Sequence, residues 1–253
     1  MSPAFAEFEI PEVDIDKGSI EAEYRGAQHW GLLEPTPEEE VEALRQSHEL
    51  EIQFGITDFW AVRVTPNVEQ PEGESIGLNA IGIETQFVLV RRNGGPFGLA
   101  FMDSPVSLFV DLEQPDELEF GPVVEIAGKA WLATFNPRLA RDLGEFADQE
   151  SVGFEYAAQV NYRVAKRWSI AALAFGEIED LANVGGFNDQ SHLLGPGLYL
   201  YSRDGAGDAE PGDDREEGGA GGGTAWSLGV GALFGLTDAS HDVTLRVTFA
   251  VER

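Results

Sequence analysis

Closely spaced carboxylates are the first residues of this sequence whose types and spacing could do chemistry. Glu49 and Glu51 form one pair at i, i+2 spacing, and Glu117 and Glu119 form another. Two carboxylates that converge in a cleft are what hydrolysis of a glycosidic bond requires. However, 45 of the 253 residues are Asp or Glu, so pairs at this spacing also arise by chance. A soluble, carbohydrate-active β-sandwich is therefore an alternative and not the main interpretation.

Two Ser-His dipeptides suggest a second kind of enzyme, a hydrolase built on a membrane barrel. They are Ser47-His48 and Ser191-His192. Adjacent residues of a strand point to opposite faces of the sheet, so neither dipeptide forms a nucleophile–base pair by itself. We expect exposed histidines at loop ends and no catalytic residues.

The composition argues against several other classes of function. The formal net charge of −29 argues against a nucleic-acid partner, because phosphates need a basic footprint. The chain has no cysteine, and His29 and His241 have no ligand partners at a useful spacing, so the sequence predicts no metal site and no cofactor. No apolar run reaches the roughly 18 to 20 residues that a membrane-spanning helix needs. If the chain crosses a membrane, it does so as strands.

The N-terminal residues resemble the end of an export signal. Ala4-Phe5-Ala6 fits the small-x-small pattern of a signal-peptidase site, with Glu7 as the first residue of the mature protein. The charged and apolar regions that normally precede such a site are missing, so we expect a longer precursor. The chain then divides into a signal-peptide remnant (1–6), an acidic N-terminal segment (7–16) and a single β-barrel domain (17–253).

Strict alternation of apolar and polar residues defines the elements that must position these side chains. In the stretch "SHELEIQFGITDFWAVRVTP", residues 47–66, two successive strands each have one apolar and one polar face, and a short turn joins them. Most of the predicted strands have ten residues or more, which suits tilted strands that cross a membrane. The pattern predicts twelve strands, at 17–30, 46–57, 59–69, 76–91, 96–112, 116–127, 130–140, 151–165, 168–180, 191–202, 225–236 and 242–252.

The connections alternate between short turns and longer loops, as they do in outer-membrane barrels. Helical periodicity predicts a short helix only at 36–46, inside a loop, with Thr36 as its cap and Glu39 three places on. The segment 203–223, rich in Gly, Asp and Glu, is long where the strand order predicts a short turn. Its composition predicts a flexible, solvated insertion.

Bulky aromatic residues mark one end of the predicted strands. Each lies within the first few residues of an odd-numbered strand, after a connection at the short-turn end. In a closed sheet, such residues form a girdle at the membrane interface, where amphipathic rings prefer to lie. The residues are Trp60, Phe97, Trp131, Trp168 and Trp226.

The polar register of the strands carries carboxylates, arginines and amides. In a narrow barrel these side chains turn inward, where they must form ion pairs or meet water, because isolated burial of an ion costs several kcal/mol. Gly195, Gly197, Gly229, Gly231 and Gly235 lie on the same face, which predicts a crowded lumen or strong sheet curvature. We expect the following residues to line the lumen: Glu49, Glu51, Arg63, Glu84, Gln86, Glu117, Glu119, Glu125, Arg138, Glu155, Gln159, Arg163, Glu177 and Arg246.

Five blocks of sequence carry a resemblance to a known family: "SHELEIQFGITDFWAVRV", "DELEFGPVVEIAGKAWLATFNPRL", "FEYAAQVNYRVAKRWSIAALAFGEI", "HLLGPGLYLY" and "SLGVGALFGLTDASHDVTLRVTFAVE". Together they resemble uncharacterised Gram-negative outer-membrane barrels similar to the "MetA-pathway of phenol degradation" transporter-like group. The resemblance covers about residues 17–253. It implies an export signal, residence in the outer membrane, contact with lipid and with the outer-membrane assembly machinery, and passage of small organic molecules. Such barrels usually end on an aromatic residue that assists assembly, whereas the last aromatic residue here is Phe249.

The sequence therefore predicts an all-β protein, a closed antiparallel up-and-down transmembrane β-barrel of about 12 strands. We expect a non-enzymatic, narrow channel for small solutes, either cationic or organic. A competing prediction is a structural or surface-interaction barrel with a plugged lumen. For the channel, we expect carboxylates to set a preference for cations and arginines to pair with them: Glu51, Glu84, Glu125, Glu155 and Glu177, with Arg63, Arg138, Arg163 and Arg246.

Overall fold

The computed structural model describes residues 8–31, 44–109, 116–143, 151–202 and 224–253. Within them the chain forms twelve β-strands of 10 to 14 residues, long enough to cross a membrane when tilted. One turn of 3-10 helix, Phe187–Asp189, lies between the ninth and tenth strands. The strands are β1 (Ile20–Trp30), β2 (Leu44–Thr57), β3 (Trp60–Pro71), β4 (Gly77–Val90), β5 (Phe97–Phe109), β6 (Asp116–Ala127), β7 (Trp131–Leu143), β8 (Gly153–Ala165), β9 (Trp168–Ile178), β10 (Ser191–Tyr201), β11 (Ala225–Gly235) and β12 (Val243–Glu252).

Each strand pairs with its neighbours in sequence, and the two terminal strands close the sheet. The pairing of β1 with β12 is antiparallel, and main-chain hydrogen bonds of 3.0 and 3.1 Å between Ile20 and Arg253 extend this seam. The prediction of a closed, twelve-stranded, up-and-down barrel is confirmed. The soluble alternative, a sandwich of two stacked sheets, is wrong, because every strand of the described chain has a neighbour on both sides.

The predicted and observed strands correspond one to one. β1 begins at Ile20 and not at residue 17, because Lys17 and Gly18 form a turn in which Gly18 has a φ of 82°. The helix predicted at 36–46 is wrong for its last three residues, which belong to β2 because Leu44 and Gln46 pair with β3. The rest of that helix lies outside the described residues, as do residues 1–7 and the insertion 203–223.

The barrel has a short-turn end and a long-loop end. The connections 58–59, 91–96, 128–130 and 166–167 lie at the short-turn end, together with the start of β1 and the end of β12. In outer-membrane barrels, the short turns face the periplasm and the long loops face the outside of the cell.

The outer face of the barrel is apolar. Leu50, Ile83 and Val230, in three well-separated strands, are between 40% and 46% exposed although they are aliphatic. Such an exterior is typical of a transmembrane barrel, whose outward residues meet lipid. Among the described residues, no helix is long and apolar enough to span a membrane. The aromatic residues predicted to form a girdle lie on this outer face at the short-turn end: Trp60, Phe97, Trp131 and Trp168 begin β3, β5, β7 and β9, and Trp226 is the second residue of β11.

The interior of the barrel holds two apolar clusters that the strand pattern did not predict. The first, the Phe8 cluster, contains Phe8 and inward side chains of β1 and β8 to β11, including Leu173 and Phe175. The second, the Val13 cluster, contains Val13, Ile15 and inward side chains of β3 to β6. Each cluster combines barrel residues with residues that precede β1, so the N-terminal segment lies inside the barrel.

Candidate functional site: the lumen and its N-terminal segment

Residues 8–16, here called the lumen segment, run through the barrel from the Phe8 cluster to the short-turn end. Phe8, Val13 and Ile15 are 3%, 0% and 2% exposed, respectively. The sequence predicts an acidic segment at 7–16 but does not predict that it fills part of the lumen. Its alternating apolar residues indicate that it is buried. However, the sequence shows no strand with which it would pair, so its place in the lumen could not be predicted.

At one end of the lumen segment, Phe8 and Glu9 bind opposite walls. The Phe8 ring packs edge-on against Phe175, with centroids 5.0 Å apart, and also lies 6.0 Å from the ring of His29. Glu9 Oε1 accepts a hydrogen bond of 2.9 Å from Arg63 Nη1. The segment therefore divides the lumen here.

In the middle of the lumen segment, barrel side chains take the place of a partner strand. The Gln86 amide donates to the carbonyl oxygens of Glu12 (2.8 Å) and Val13 (3.1 Å). The Val13 N–H donates to Glu125 Oε1 at 3.0 Å. These bonds satisfy backbone groups that would otherwise be buried without partners.

At the short-turn end, two aspartates fix the segment to the turn between β4 and β5. The Asp14 carboxylate accepts the backbone N–H groups of Arg92 (2.8 Å) and Asn93 (3.0 Å). Asp16 pairs with the Arg91 guanidinium at 2.8 Å. The end of the lumen segment is thus bound to the barrel wall by charge and by backbone donors.

Two glycines of the wall allow the segment to approach closely. A Cβ at Gly55 would clash with the backbone oxygen of Asp16, and a Cβ at Gly98 would lie 3.1 Å from Val13 Cγ1. Glycine inside a strand often marks such a close approach of another backbone.

Two buried arginines, Arg25 and Arg63, form one ionic network with the surrounding carboxylates. Glu51 joins them, because its two oxygens lie 2.8 Å from Arg25 and 3.2 Å from Arg63. Arg25 also pairs with Glu23 and Glu49, and Arg63 also pairs with Glu9 and Glu84. Five carboxylates therefore share two guanidinium groups.

Two further arginines balance the carboxylates of β6 and β8. Arg138 binds Glu119 at 2.8 Å and Glu155 at 3.0 Å. Arg92, which was not among the predicted lumen residues, is the arginine that binds Glu125, at 2.9 Å; its position in a turn hid it from the strand pattern.

Two carboxylate triplets of the described chain have oxygens close enough together to hold a metal ion. They are Glu9, Glu51 and Glu84, and Glu117, Glu119 and Glu155, with oxygens within 4.8 Å of one another. Each triplet already has a buried guanidinium beside it, Arg63 in the first and Arg138 in the second. The arginine supplies the positive charge in both places.

The residues predicted to line the lumen all occupy inward positions of the barrel. Gln159, Arg163 and Glu177 are half-buried, and the others are buried. Arg25 was missed, although it lies two residues from Glu23 on the same face. The buried or half-buried set is Glu49, Glu51, Arg63, Glu84, Gln86, Glu117, Glu119, Glu125, Arg138, Glu155, Gln159, Arg163, Glu177 and Arg246.

The inward glycines of β10 and β11 make room for large side chains inside the lumen. A Cβ at Gly229 would lie 2.6 Å from the Tyr199 ring, and one at Gly231 would lie 3.1 Å from Leu173. The lumen is therefore crowded on this side by an aromatic ring and an aliphatic side chain.

A cavity of about 110 Å³ separates the lumen segment from the wall made by β1 to β3, β7, β8 and β10 to β12. Hydroxyl and amide groups line it, among them those of Tyr199, Tyr201 and Gln159. It has room for several water molecules, since each needs roughly 10 to 15 Å³ of such volume. The charged residues that line it are Glu9, Glu12, Asp14, Glu21, Glu23, Glu51, Arg63 and Arg246.

The histidines near the long-loop end make structural contacts. A hydrogen bond of 2.9 Å joins His29 Nδ1 and Thr244 Oγ1, and the His29 and His241 rings lie 4.4 Å apart. Burial lowers the pKa of His241, which lies in the connection between β11 and β12, and so favours its uncharged form. Ser47 is buried inside the barrel, whereas His48 on the outer face contacts the Tyr24 hydroxyl at 2.8 Å. The dipeptide thus points to two faces. The expectation that the histidines of the two dipeptides are exposed is wrong, because His48 is half-buried and His192 is 8% exposed.

Comparison with known proteins identifies the architecture. No family model and no curated protein matches the sequence. Among solved structures, an outer membrane channel from Pseudomonas putida F1 aligns with a TM-score of 0.57 at 9% identity, over 94% of this chain and 96% of that one. The NanC porin aligns with a TM-score of 0.51 at 10% identity, over 91% of this chain and 98% of that one. This is the fold of outer-membrane β-barrels. The two neighbours named here are an outer membrane channel and a porin.

Proposed function

We propose that this protein is a narrow outer-membrane channel for small polar solutes, with a preference for cations. The observation that supports this most directly is the cavity beside the lumen segment, which six carboxylates and two arginines line. A cleft whose lining has an excess of one sign of charge raises the local concentration of the opposite ion. The fourteen inward residues predicted from the sequence extend that acidic lining along the barrel.

The lumen segment sets the size of solute that such a channel admits. With residues 8–16 in place, a solute passes between the segment and the wall, through a space the size of a few water molecules. The narrower resemblance to the transporter-like group, which implies small organic molecules, is compatible with this limit. The five aromatic residues at the short-turn end anchor the barrel at the membrane interface.

Planar-bilayer conductance of the purified barrel tests the proposal. We expect a small conductance and, in a salt gradient, a reversal potential that favours cations. The variant Glu12→Gln/Glu177→Gln removes two lumen carboxylates that have no arginine within 4.0 Å among the described residues, and it should reduce the cation preference. Glu72→Gln/Glu74→Gln is the matched control, because both residues are exposed in the β3–β4 connection. Absence of conductance, or a preference that the lumen variant leaves unchanged, contradicts the proposal.

A plugged barrel is the second candidate, favoured by the number of bonds that hold the lumen segment. Its function would then lie in the loops, and the wild-type protein would not conduct. Deletion of residues 8–16 separates the two candidates. A channel conducts before and after the deletion, whereas a plugged barrel conducts only after it.

A further inference from the structure

Arg246 differs from every other buried arginine of the described chain. Its Nη1 donates to the Tyr199 hydroxyl at 2.9 Å, but no carboxylate lies within 4.0 Å of it among the described residues. Nε is buried without a hydrogen-bond partner, and Nη2 makes no hydrogen bond among the described residues either. The other four arginines each bind a carboxylate at 2.8 to 2.9 Å: Arg25, Arg63, Arg92 and Arg138.

Arg246 lines the cavity beside another unused donor. The Tyr199 oxygen already accepts two hydrogen bonds, from Arg246 and from the Gln159 amide at 2.8 Å. A phenol oxygen accepts two bonds and donates one, so the proton of Tyr199 is left for a third partner. Arg246 Nη2 and the Tyr199 hydroxyl together present donors and no acceptor, which suits a carboxylate that accepts a hydrogen bond on each of its oxygens.

The same cavity carries carboxylates that lack a cation. Neither Glu12 nor Glu21 has a Lys or Arg partner within 4.0 Å in the part of the chain that the structure describes. The contact that Glu21 does make is a long one of 3.5 Å with the Gln53 amide. Both residues line the cavity that contains Arg246.

We infer that this cavity is a binding subsite for small zwitterions that carry one carboxylate and one ammonium group. The carboxylate binds Arg246 and Tyr199, and the ammonium binds Glu12 and Glu21. The inference rests on the proposed channel function, because the cavity is the solute's path through the barrel. A volume of about 110 Å³ limits the ligand to the size of a small amino acid.

Charge balance favours a zwitterion over a simple anion or a simple cation. An anion at Arg246 shares the cavity with six carboxylates, and like charges repel it. A cation satisfies those carboxylates but leaves the buried guanidinium without a counterion, which is costly. A ligand with both charges satisfies both groups at once.

Saturation-transfer NMR on the detergent-folded barrel tests the subsite with three probes. Glycine carries both charges, acetate only the carboxylate, and methylammonium only the cation. We expect glycine to bind about tenfold or more tightly than either half, because each half loses one charged contact. Arg246→Gln should weaken glycine binding by about tenfold. Arg45→Gln, at an exposed position outside the cavity, should leave it unchanged.

A second variant keeps the test decisive if Arg246→Gln does not fold. If Arg246→Gln does not show the heat-modifiable gel shift of a folded barrel, Tyr199→Phe removes one donor and should weaken glycine and acetate but not methylammonium. Equal binding of glycine and either half-ligand overturns the inference, as does glycine binding that neither variant changes. Because binding is measured without conduction, a protein that binds glycine but does not conduct contradicts the channel alone. A protein that conducts but does not bind glycine contradicts the subsite alone.

Discussion

At the scale of single residues, the lumen depends on a few arginines that are surrounded by acid. Arg63 is the most connected: it contacts three carboxylates and donates to the Gln53 and Gln86 amides at 2.7 and 2.6 Å. Removing one partner of a buried ion pair costs more than the pair itself contributes, because the other charge is left buried. The lumen is therefore most sensitive to loss of positive charge.

We expect Arg63→Gln to lower the free energy of unfolding by about 3 to 5 kcal/mol, because it leaves Glu9 and Glu84 without a counterion. Urea unfolding followed by tryptophan fluorescence measures the change. The exposed Arg45→Gln should change it by less than about 0.5 kcal/mol. Equal stability of the two variants would mean that the network is hydrated in the folded barrel and contributes little.

Residue roles could be predicted from the sequence only where a strand pattern carried them. Glu51 and Arg63 follow from alternation, since each lies on the polar register of a long strand. Arg92 and Glu9 could not be found in this way, because one lies in a turn and the other in a segment with no strand partner. Arg246 could be placed inside the barrel, but its lack of an ion pair depends on which side chains face it across the lumen.

At the scale of elements, the lumen segment is the feature that sequence periodicity could not place. Its backbone bonds go to the Gln86 and Glu125 side chains, and its Asp14 carboxylate accepts N–H groups of the β4–β5 turn, so no neighbouring strand carries a matching pattern. The twelve strands, in contrast, were predictable because each satisfies its backbone through neighbours that follow the same alternation. The alternation of apolar and polar residues thus predicts strands that pair in a sheet. It does not predict the position of a segment whose backbone is bound by side chains.

A disulfide between the lumen segment and β5 should form without a change in fold. In Val13→Cys/Gly98→Cys the Cβ atoms lie 3.3 Å apart, a few tenths of an ångström below the range of about 3.5 to 4.5 Å in disulfides. The chain has no other cysteine, so a non-reducing gel and intact mass report this bond alone.

The control for that variant is Val13→Cys/Gly73→Cys, because Gly73 lies in the β3–β4 connection, where an added Cβ would have no atom within 4 Å of it. It should stay reduced under the same oxidation. Failure of the Val13–Gly98 bond, or equal oxidation of both variants, would contradict the position of the segment inside the barrel.

At the scale of the whole molecule, the barrel has the reverse polarity of a soluble protein. Its interior is rich in charged side chains, and its outer face is aliphatic. That arrangement followed from the sequence, because long strands with one apolar face and no free edge must close around the polar face. The apolar clusters within the lumen did not follow, since each includes residues of the N-terminal segment that the strand pattern does not place inside the barrel.

Charged substitutions on the outer face test whether that face meets lipid. Ile83 lies outward near the middle of β4, whereas Leu89 lies outward near its short-turn end. In a bilayer, we expect Ile83→Arg to lower the free energy of unfolding by about 2 to 4 kcal/mol and Leu89→Arg by about 0 to 1 kcal/mol. Unfolding in lipid vesicles measures both. Equal costs at the two depths would contradict a membrane around the barrel.

The seam between β1 and β12 bears on the order in which the barrel assembles. The nine residues of the lumen segment come just before β1, and the hydrogen bonds between Ile20 and Arg253 shut the wall around them. If β1 and β12 paired first, residues 8–16 would have to enter the closed barrel end-on. Its interior would already be crowded with ion pairs. We therefore expect residues 8–16 to enter the lumen before the last two strands meet.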